Sequence, residues 1–283
     1  MNFISINNLN NESIAKIFGL ADSLKNSSQS PLLGKTLVLF FPESSIRTRL
    51  TFEKGIQDLG GKCILFPPST LDKREESIDV IRYIENWADA VIVRHSDFDK
   101  ISSLGQYSRI PVINAMSSYN HPCEIMSDIY SISKVRPNYR SLSYTFIGEK
   151  GNISNSWRIA AEVLDLKLNH VCIEGNKIKE NNKNYSFSAN LEEILPKSDV
   201  VLTDPLSKEL RVDEYIEKYQ ITLEKMNRCK SKSLLNPCPP FYRGEEVSVD
   251  VIDSKYFVGY EFKKNLIYVQ QAIILYCLGI EIE

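Results

Sequence analysis

The chain has 283 residues, of which 43% are hydrophobic and 25% charged, and its formal net charge is -2 at pH 7. This composition is typical of a globular protein with one large or two moderate domains, which needs no disulfide or metal to stabilise its core. The near-neutral charge argues against a nucleic-acid or anionic-membrane partner, which would favour a basic excess.

The six cysteines are scattered, without a CxxC pair or a Cys/His cluster at zinc spacing. They are expected to be reduced core thiols, with no metal site. The first residues, MNFISINNLNNES, do not resemble a signal peptide, and no apolar run approaches the ~20 residues that cross a bilayer. We therefore expect a soluble, cytoplasmic protein.

The first half of the chain alternates predicted helices with apolar runs typical of buried strands. Asn10 or Asn11 can cap the first helix, and Gly60 follows the second. The predicted helices are 10–25, 47–59, 77–87 and 121–134, and the predicted strands are 35–41, 62–66, 89–94 and 111–115. This alternation predicts a parallel sheet that is covered by helices on both faces.

A polar, proline-containing stretch at 135–143 breaks this rhythm, and we predict a domain change there. The later predicted strands are 144–148, 170–175, 199–204, 233–237 and 256–260, with helices at 154–166 and 266–278 and a solvated loop at 176–184. The predicted fold is α/β, with two doubly wound domains, each a parallel sheet flanked by helices, joined by crossing helices. The domains are expected at 1–136, with a C-terminal helix 264–283 packing back on it, and at 137–263.

A candidate anion site follows the first strand, in the segment FFPESSIRTR at 40–49. Backbone N–H groups at a helix start carry partial positive charge, and Ser45, Arg47 and Thr48 add donors at the same point. Arg94 ends another strand, where ligands bind in parallel sheets, and a buried arginine there requires an anion. His121 starts a helix, where the local positive potential favours a neutral ring. Taken singly, each feature is also compatible with a capping or surface role.

These segments together resemble the aspartate/ornithine carbamoyltransferase family. The family's Ser-Thr-Arg-Thr-Arg appears here as SIRTR at 45–49, its His-Pro-x-Gln as HPCE at 121–124, and its strand-end arginine as Arg94. Order and spacing agree, and the similarity covers nearly the whole chain. The resemblance implies an enzyme that transfers a carbamoyl group from carbamoyl phosphate to an amino acid, without cofactor or metal.

The resemblance also implies roles for particular residues. Ser45, Arg47 and Thr48 would hold the phosphate, and Thr48, Arg94 and His121 would surround the carbamoyl oxygen as catalytic groups. Two positions depart from the family: Ile46 lacks a polar side chain, and Glu124 replaces glutamine. An ionised glutamate only accepts hydrogen bonds, so it can still bind the carbamoyl NH2, but its charge is unfavourable near phosphate.

Family members form trimers in which a neighbouring subunit's loop completes the site. Here the loop STLDKREES at 69–77 is the counterpart, with Ser69 and either Lys73 or Arg74 as the donated groups. A solvated charge run is the alternative interpretation of this loop. The resemblance thus implies a homotrimer with shared active sites as the partner state.

The second half carries the expected amino-acid site. Asn152 lies in a strand-to-helix turn that resembles the ornithine branch and lacks the G-x-G-x-x-G of a dinucleotide-binding dehydrogenase. Asp204 and Ser207 end the strand at 199–204, and in that branch the aspartate pairs with the substrate α-ammonium. The aspartate branch has an arginine instead, so Asp204 favours a cationic amino acid.

The segment NPCPPFYRGEEV at 236–247 resembles the ornithine branch's His-Cys-Leu-Pro…Arg-Gly-Glu-Glu-Val. Cys238 would lie beside the attacking amine and Arg243 would contact the carbamoyl group, whereas Pro237 replaces the family's histidine. The predicted activity is carbamoyl transfer to the side-chain amine of ornithine or a related diamino acid. Aspartate carbamoyltransferase and a catalytically impaired anion-binding homologue remain alternatives.

Overall fold

The computed structural model describes residues 1–282, so the last residue of the expected segment 264–283 lies outside the described part. The chain forms two compact units. Unit 1 is Met1–Ser131 together with the segment from Lys263 onward, and unit 2 is Ile132–Phe262. Among residues 1–282, every helix is too short or too polar to span a bilayer.

Unit 1 contains a four-stranded parallel sheet in the order β2-β1-β3-β4, which matches the predicted strand content of the first half. Its strands are β1 (Thr36–Phe40), β2 (Lys62–Phe66), β3 (Ala90–Arg94) and β4 (Val112–Met116). The helices of this stretch are α1 (Asn11–Leu24), α2 (Ile46–Asp58), α3 (Ser77–Ile84), α4 (Phe98–Tyr107) and α5 (Pro122–Val135). The central strands β1 and β3 are almost wholly buried, as their continuous apolar sequences require.

Unit 2 contains a five-stranded parallel sheet in the order β7-β6-β5-β8-β9. Its strands are β5 (Ser143–Ile147), β6 (Lys167–Val171), β7 (Tyr185–Ser188), β8 (Val200–Thr203) and β9 (Leu234–Pro237). Its helices are α6 (Asn152–Leu164), α7 (Leu191–Ile194), α8 (Asp213–Tyr219), α9 (Leu223–Asn227), α10 (Val249–Ile252) and α11 (Gly259–Lys263). The two sheets confirm the predicted α/β class.

The last helix, α12 (Leu266–Leu278), belongs to unit 1 and packs against α1 and α2. The amino group of Met1 donates to the Cys277 carbonyl over 2.8 Å, and the Tyr276 hydroxyl donates to Ser13 Oγ over 2.8 Å. Unit 1 is therefore assembled from both ends of the chain.

The two edges of the unit 1 sheet differ. At β4, Phe3 pairs with Ile113, and its backbone exchanges hydrogen bonds with Val112 and Asn114. At β2, the side chains of Ile64 and Phe66 are exposed. The β2 edge is thus the less protected one.

The predicted strand at 256–260 is wrong. Phe257 forms only an isolated bridge with Leu235, and α11 begins at Gly259. The ring of Phe257 packs against Phe241 and Tyr260, so the apolar run is buried without joining the sheet. The sequence prediction also missed α4 and the edge strand β7.

Candidate active site

Arg94 lies at the carboxyl end of β3 and gathers the hydroxyls predicted to face the anion. Its Nη1 donates to Ser45 Oγ over 2.8 Å and approaches Thr48 Oγ1 at 3.4 Å. The β3–β4 register shifts between Val93 and Arg94, an irregularity of the kind that redirects a side chain at a sheet edge. Residues that are 46 to 49 positions apart along the chain thus share one cluster.

The start of α2 has the features of an anion site. Ser45 is the N-cap residue, yet its side chain forms no capping hydrogen bond within residues 1–282, because its Oγ accepts from Arg94. The positive end of the helix macrodipole lies at this point and favours an anion. Arg47 is exposed and forms no ion pair with the described residues, whereas Arg49 pairs with Glu53 at 2.5 Å. The side chain of Ile46 is exposed, and its backbone N–H donates to the Ser44 carbonyl over 2.9 Å.

His121 directly precedes α5 and is buried. The pKa of His121 is lowered to about 4, chiefly by burial and also by the charges of Arg94 and Lys263, while the charge of Glu124 opposes them. The ring is therefore neutral at pH 7, as expected from its position, but burial rather than the helix start is the main cause. A neutral imidazole here can donate or accept one hydrogen bond at each nitrogen.

Glu124 lies one turn into the same helix and is also buried. Its carboxylate forms an ion pair with Lys263, which also approaches Asp128 Oδ1 at 2.7 Å. Burial opposes ionisation of Glu124, but the charge and hydrogen bond of Lys263, with a smaller contribution from the charge of Arg47, favour it, so its pKa lies below the ordinary value. Glu124 can thus accept hydrogen bonds, and Lys263 is its counter-ion.

A cavity of about 440 Å³ opens at this edge of the unit 1 sheet. Arg94, Ser69 and Asp72 of the same chain line it. Asp72 Oδ1 lies 3.0 Å from His95 Nε2 and 2.5 Å from Lys100 Nζ, which fixes the loop after β2. The adjoining side chains of residues 73 and 74, the predicted donated cations, are exposed.

In unit 2, the turn after β5 organises the predicted amino-acid residues. Glu149 accepts from the Ser207 backbone N–H over 3.0 Å, which joins this turn to the loop that carries Asp204. Asn152 is the first residue of α6, and Asp204 directly follows β8; both are half-buried. The carboxyl edge of this sheet is therefore acidic.

His170 stabilises the turn after β5 through a hydrogen bond. Its Nε2 donates to the Gly148 carbonyl over 2.8 Å, and the Tyr185 hydroxyl lies 3.0 Å from its Nδ1. Burial lowers the pKa of His170 to about 4, so it is neutral at pH 7. Gly148 has φ +149°, a backbone conformation that favours glycine.

The loop after β9 carries the remaining predicted residues. Cys238 is buried, and its backbone N–H donates to the Thr203 carbonyl over 2.8 Å. Arg243 is exposed, and its Nη1 donates to the Val249 carbonyl over 3.2 Å. Burial raises the pKa of Glu246 to about 7, although the backbone N–H groups of Tyr242 and Leu206 favour its ionised form.

The sequence reasoning missed several residues that shape these two edges. They are Asp72, His95, Glu149, His170, Glu246 and Lys263. Their partners are mostly distant along the chain, so no local motif indicates them. Lys263 and Glu124, for example, are 139 positions apart.

Comparisons with known proteins agree with this architecture. Residues 1–134 match the carbamoyl-P binding domain of aspartate/ornithine carbamoyltransferase, and residues 140–277 match its Asp/Orn binding domain. An ornithine carbamoyltransferase of Methylobacillus flagellatus is 31% identical over 98% of this chain and 96% of its own length. One of Azoarcus sp. is 32% identical over 87% of this chain and 84% of its own.

Solved structures give the same picture. The ornithine carbamoyltransferase from Burkholderia thailandensis superposes with a TM-score of 0.90 at 27% identity, with 98% of each chain covered. That from Campylobacter jejuni has a TM-score of 0.89 at 28% identity, also with 98% of each covered. The chain therefore belongs to the aspartate/ornithine carbamoyltransferase family. It is an enzyme of the carbamoyltransferase class, and the relatives named above are ornithine carbamoyltransferases, which agrees with the sequence prediction.

Proposed function

We propose that this enzyme transfers the carbamoyl group of carbamoyl phosphate to the side-chain amine of ornithine or a closely related diamino acid and releases phosphate. The observation that carries the proposal is the Arg94 cluster with Ser45 and Thr48 at the start of α2. Residues 1–136 with the C-terminal segment would bind carbamoyl phosphate. Residues 137–263 would bind the amino acid.

For the donor, Arg47, Ser45 and the N–H groups of α2 would hold the phosphate. Thr48, Arg94 and neutral His121 would surround the carbonyl oxygen, and such preorganised donors stabilise the negative charge that develops there. The amine lone pair attacks the carbonyl carbon, a C–N bond forms, and the C–O bond to phosphate breaks. The departing phosphate carries the electron pair and can take the proton that the amine loses.

For the acceptor, Asp204 would pair with the α-ammonium group, and Asn152 and Ser207 would bind the other α-groups. Cys238 would lie beside the attacking amine, and Arg243 would contact the carbamoyl group after leaving the Val249 carbonyl. Asp204 and Glu149 make this edge unfavourable for the second carboxylate of aspartate, because like charges repel at short range.

We further propose a homotrimer, located in the cytoplasm and serving arginine metabolism. The exposed Ile64 and Phe66 on the open β2 edge support an interface with another copy of this chain. The loop with Ser69, Lys73 and Arg74 follows the same strand and would supply a cation to a neighbour's phosphate site.

The deciding experiment is an assay for ureido product with carbamoyl phosphate and a series of amines. We expect turnover with ornithine or a shorter diamino acid and none with aspartate. Product from aspartate alone would contradict the acceptor assignment. Binding of carbamoyl phosphate without ureido product from any amine would instead identify an anion-binding homologue, which the departures at Ile46, Glu124 and Pro237 would then explain.

A further inference from the structure

Lys263 is a cation placed between two buried carboxylates. It forms an ion pair with Glu124 and lies 2.7 Å from Asp128 Oδ1, one helical turn further along α5. The side chains of Glu124 and Asp128 are 4% and 3% exposed. Two buried carboxylates of this kind are strongly unfavourable without a cation, and Lys263 supplies one to both.

The same cation belongs to the electrostatic environment of the donor site. Its charge contributes to lowering the pKa of His121, together with the charge of Arg94. Arg47 in turn contributes to lowering the pKa of Glu124. These groups therefore lie within a common field, although Lys263 comes from the far end of the chain.

The balance of charges decides what this field does to a dianion. Lys263 is the cation paired with the two carboxylates of α5, whereas Arg94 acts on His121 and Arg47 acts on Glu124. Without Lys263 the two carboxylates would lose their paired cation, and phosphate would enter a site with less positive charge. Glu124 would also take up a proton or remain an unpaired buried anion.

We propose that Lys263 is a positioning residue for carbamoyl phosphate: it fixes Glu124 as a hydrogen-bond acceptor for the carbamoyl NH2 and offsets the negative charge of Glu124 and Asp128 beside the phosphate site. This inference rests on the proposed function, because it places carbamoyl phosphate beside Glu124. It assigns a task to a residue outside the motifs that carry the family resemblance. It also accounts for a glutamate at a position where the family has glutamine.

The test is direct binding, which needs no turnover. The probes are phosphonoacetamide, which carries a phosphonate and a carboxamide NH2, and inorganic phosphate, which lacks the NH2. We expect Lys263→Met to lower the affinity for phosphonoacetamide by about 50-fold, since removing one partner of a buried charged pair is costly. The affinity for inorganic phosphate should fall by only about fivefold, because only the lost positive charge affects its binding. Lys263→Arg should retain most of the affinity.

Matched variants separate this role from a merely structural one. Lys230→Met removes another lysine that is paired with a buried carboxylate, Asp199 at 2.7 Å, and should leave both affinities unchanged. If Lys263→Met does not fold, the comparison is made in the Glu124→Gln/Asp128→Asn background, where no buried carboxylate is left unpaired. There the loss for phosphonoacetamide should shrink to the loss seen for phosphate.

The outcomes are distinguishable. A folded Lys263→Met variant that binds phosphonoacetamide within twofold of the parent overturns the inference and leaves the proposed function intact. Equal losses for the two probes in the parent background would also overturn it, since Glu124 would then play no part. A parent protein that binds neither probe contradicts the proposed function itself, and the inference falls with it.

Discussion

The carboxyl edges of the two sheets are built alike but carry opposite charge. In unit 1, the residues that follow the strands are Arg94 and the Ser45–Thr48 segment, and the helix start adds further positive potential. In unit 2, the corresponding positions carry Glu149 and Asp204. Parallel sheets thus supply equivalent positions, and the side chains placed at or just beyond the strand ends set the charge of each edge.

The two edges also treat their buried titratable groups differently. In unit 1, burial lowers the pKa of His121 to about 4 and leaves a neutral donor. In unit 2, burial raises the pKa of Glu246 to about 7, so this carboxyl changes charge near neutral pH. Near neutral pH the charge of His121 therefore stays constant, whereas the charge of Glu246 changes.

The largest effect is expected when the cationic edge loses its central arginine. Arg94→Met should lower kcat/KM for carbamoyl phosphate by about 1,000-fold, because an oxyanion donor is removed. The KM for the amino acid should change little. Steady-state kinetics with each substrate varied in turn measures both values.

Arg49→Met is the matched control for that experiment. Arg49 lies on α2, the helix that also carries Thr48, but its guanidinium pairs with Glu53. Its loss should change kcat/KM by less than about threefold, as for a surface ion pair. Equal losses for the two variants would show that general positive charge, rather than the Arg94 cluster, binds the donor.

A smaller, opposite effect is expected at the acidic edge. Asp204→Asn should raise the KM for ornithine by about 30-fold, because a charged hydrogen bond to the α-ammonium becomes neutral. The KM for carbamoyl phosphate should stay the same. Asp213→Asn, at the exposed start of α8, serves as the control and should leave both constants unchanged. An unchanged ornithine KM in Asp204→Asn would remove Asp204 from the site.

The smallest effect concerns stability and pH. Because the folded-state pKa of Glu246 lies above its ordinary value, the native protein retains a proton that the unfolded chain releases. This contribution to the free energy of unfolding is complete below about pH 4.5 and is lost as the pH rises through about 7.

Glu246→Gln removes this titration. The variant should be more stable than the parent by about 1 to 2 kcal/mol at pH 8, and the difference should vanish towards pH 4.5. Urea unfolding across that pH range measures it. A difference that is independent of pH would show that Glu246 does not titrate in this window.

Much of the fold was predictable because its strands are fully buried. Continuous apolar runs such as Ala90–Val93 are characteristic of parallel strands covered on both faces. The edge strand β7 was missed because only Tyr185 of its four residues is buried. Helix α4 was missed although Asp97 caps it and Ile101 and Leu104 face the core, so there the signal was present. The apolar run at 256–260 was wrongly predicted as a strand, because a short apolar segment is equally compatible with a strand and with another buried conformation.

The candidate site was predictable only as far as local motifs reach. Ser45, Arg47 and Thr48 share one helix start, and His121 marks another. The sequence does not reveal that Ser45 accepts from Arg94 instead of capping α2, because this depends on the register of β3. Lys263 could not be predicted either, because it is far from Glu124 along the chain and only folding brings the two side chains together.

The assembly of unit 1 from both ends of the chain has a consequence for how the protein is made. On the ribosome, all of Ile132–Phe262 emerges before α12, which packs against α1 and α2. Unit 2 can therefore complete its core during translation. At that stage the first 131 residues still lack α12, so that an apolar helix face is uncovered. The complete packing of unit 1, although its first residues are synthesised first, therefore requires the last helix.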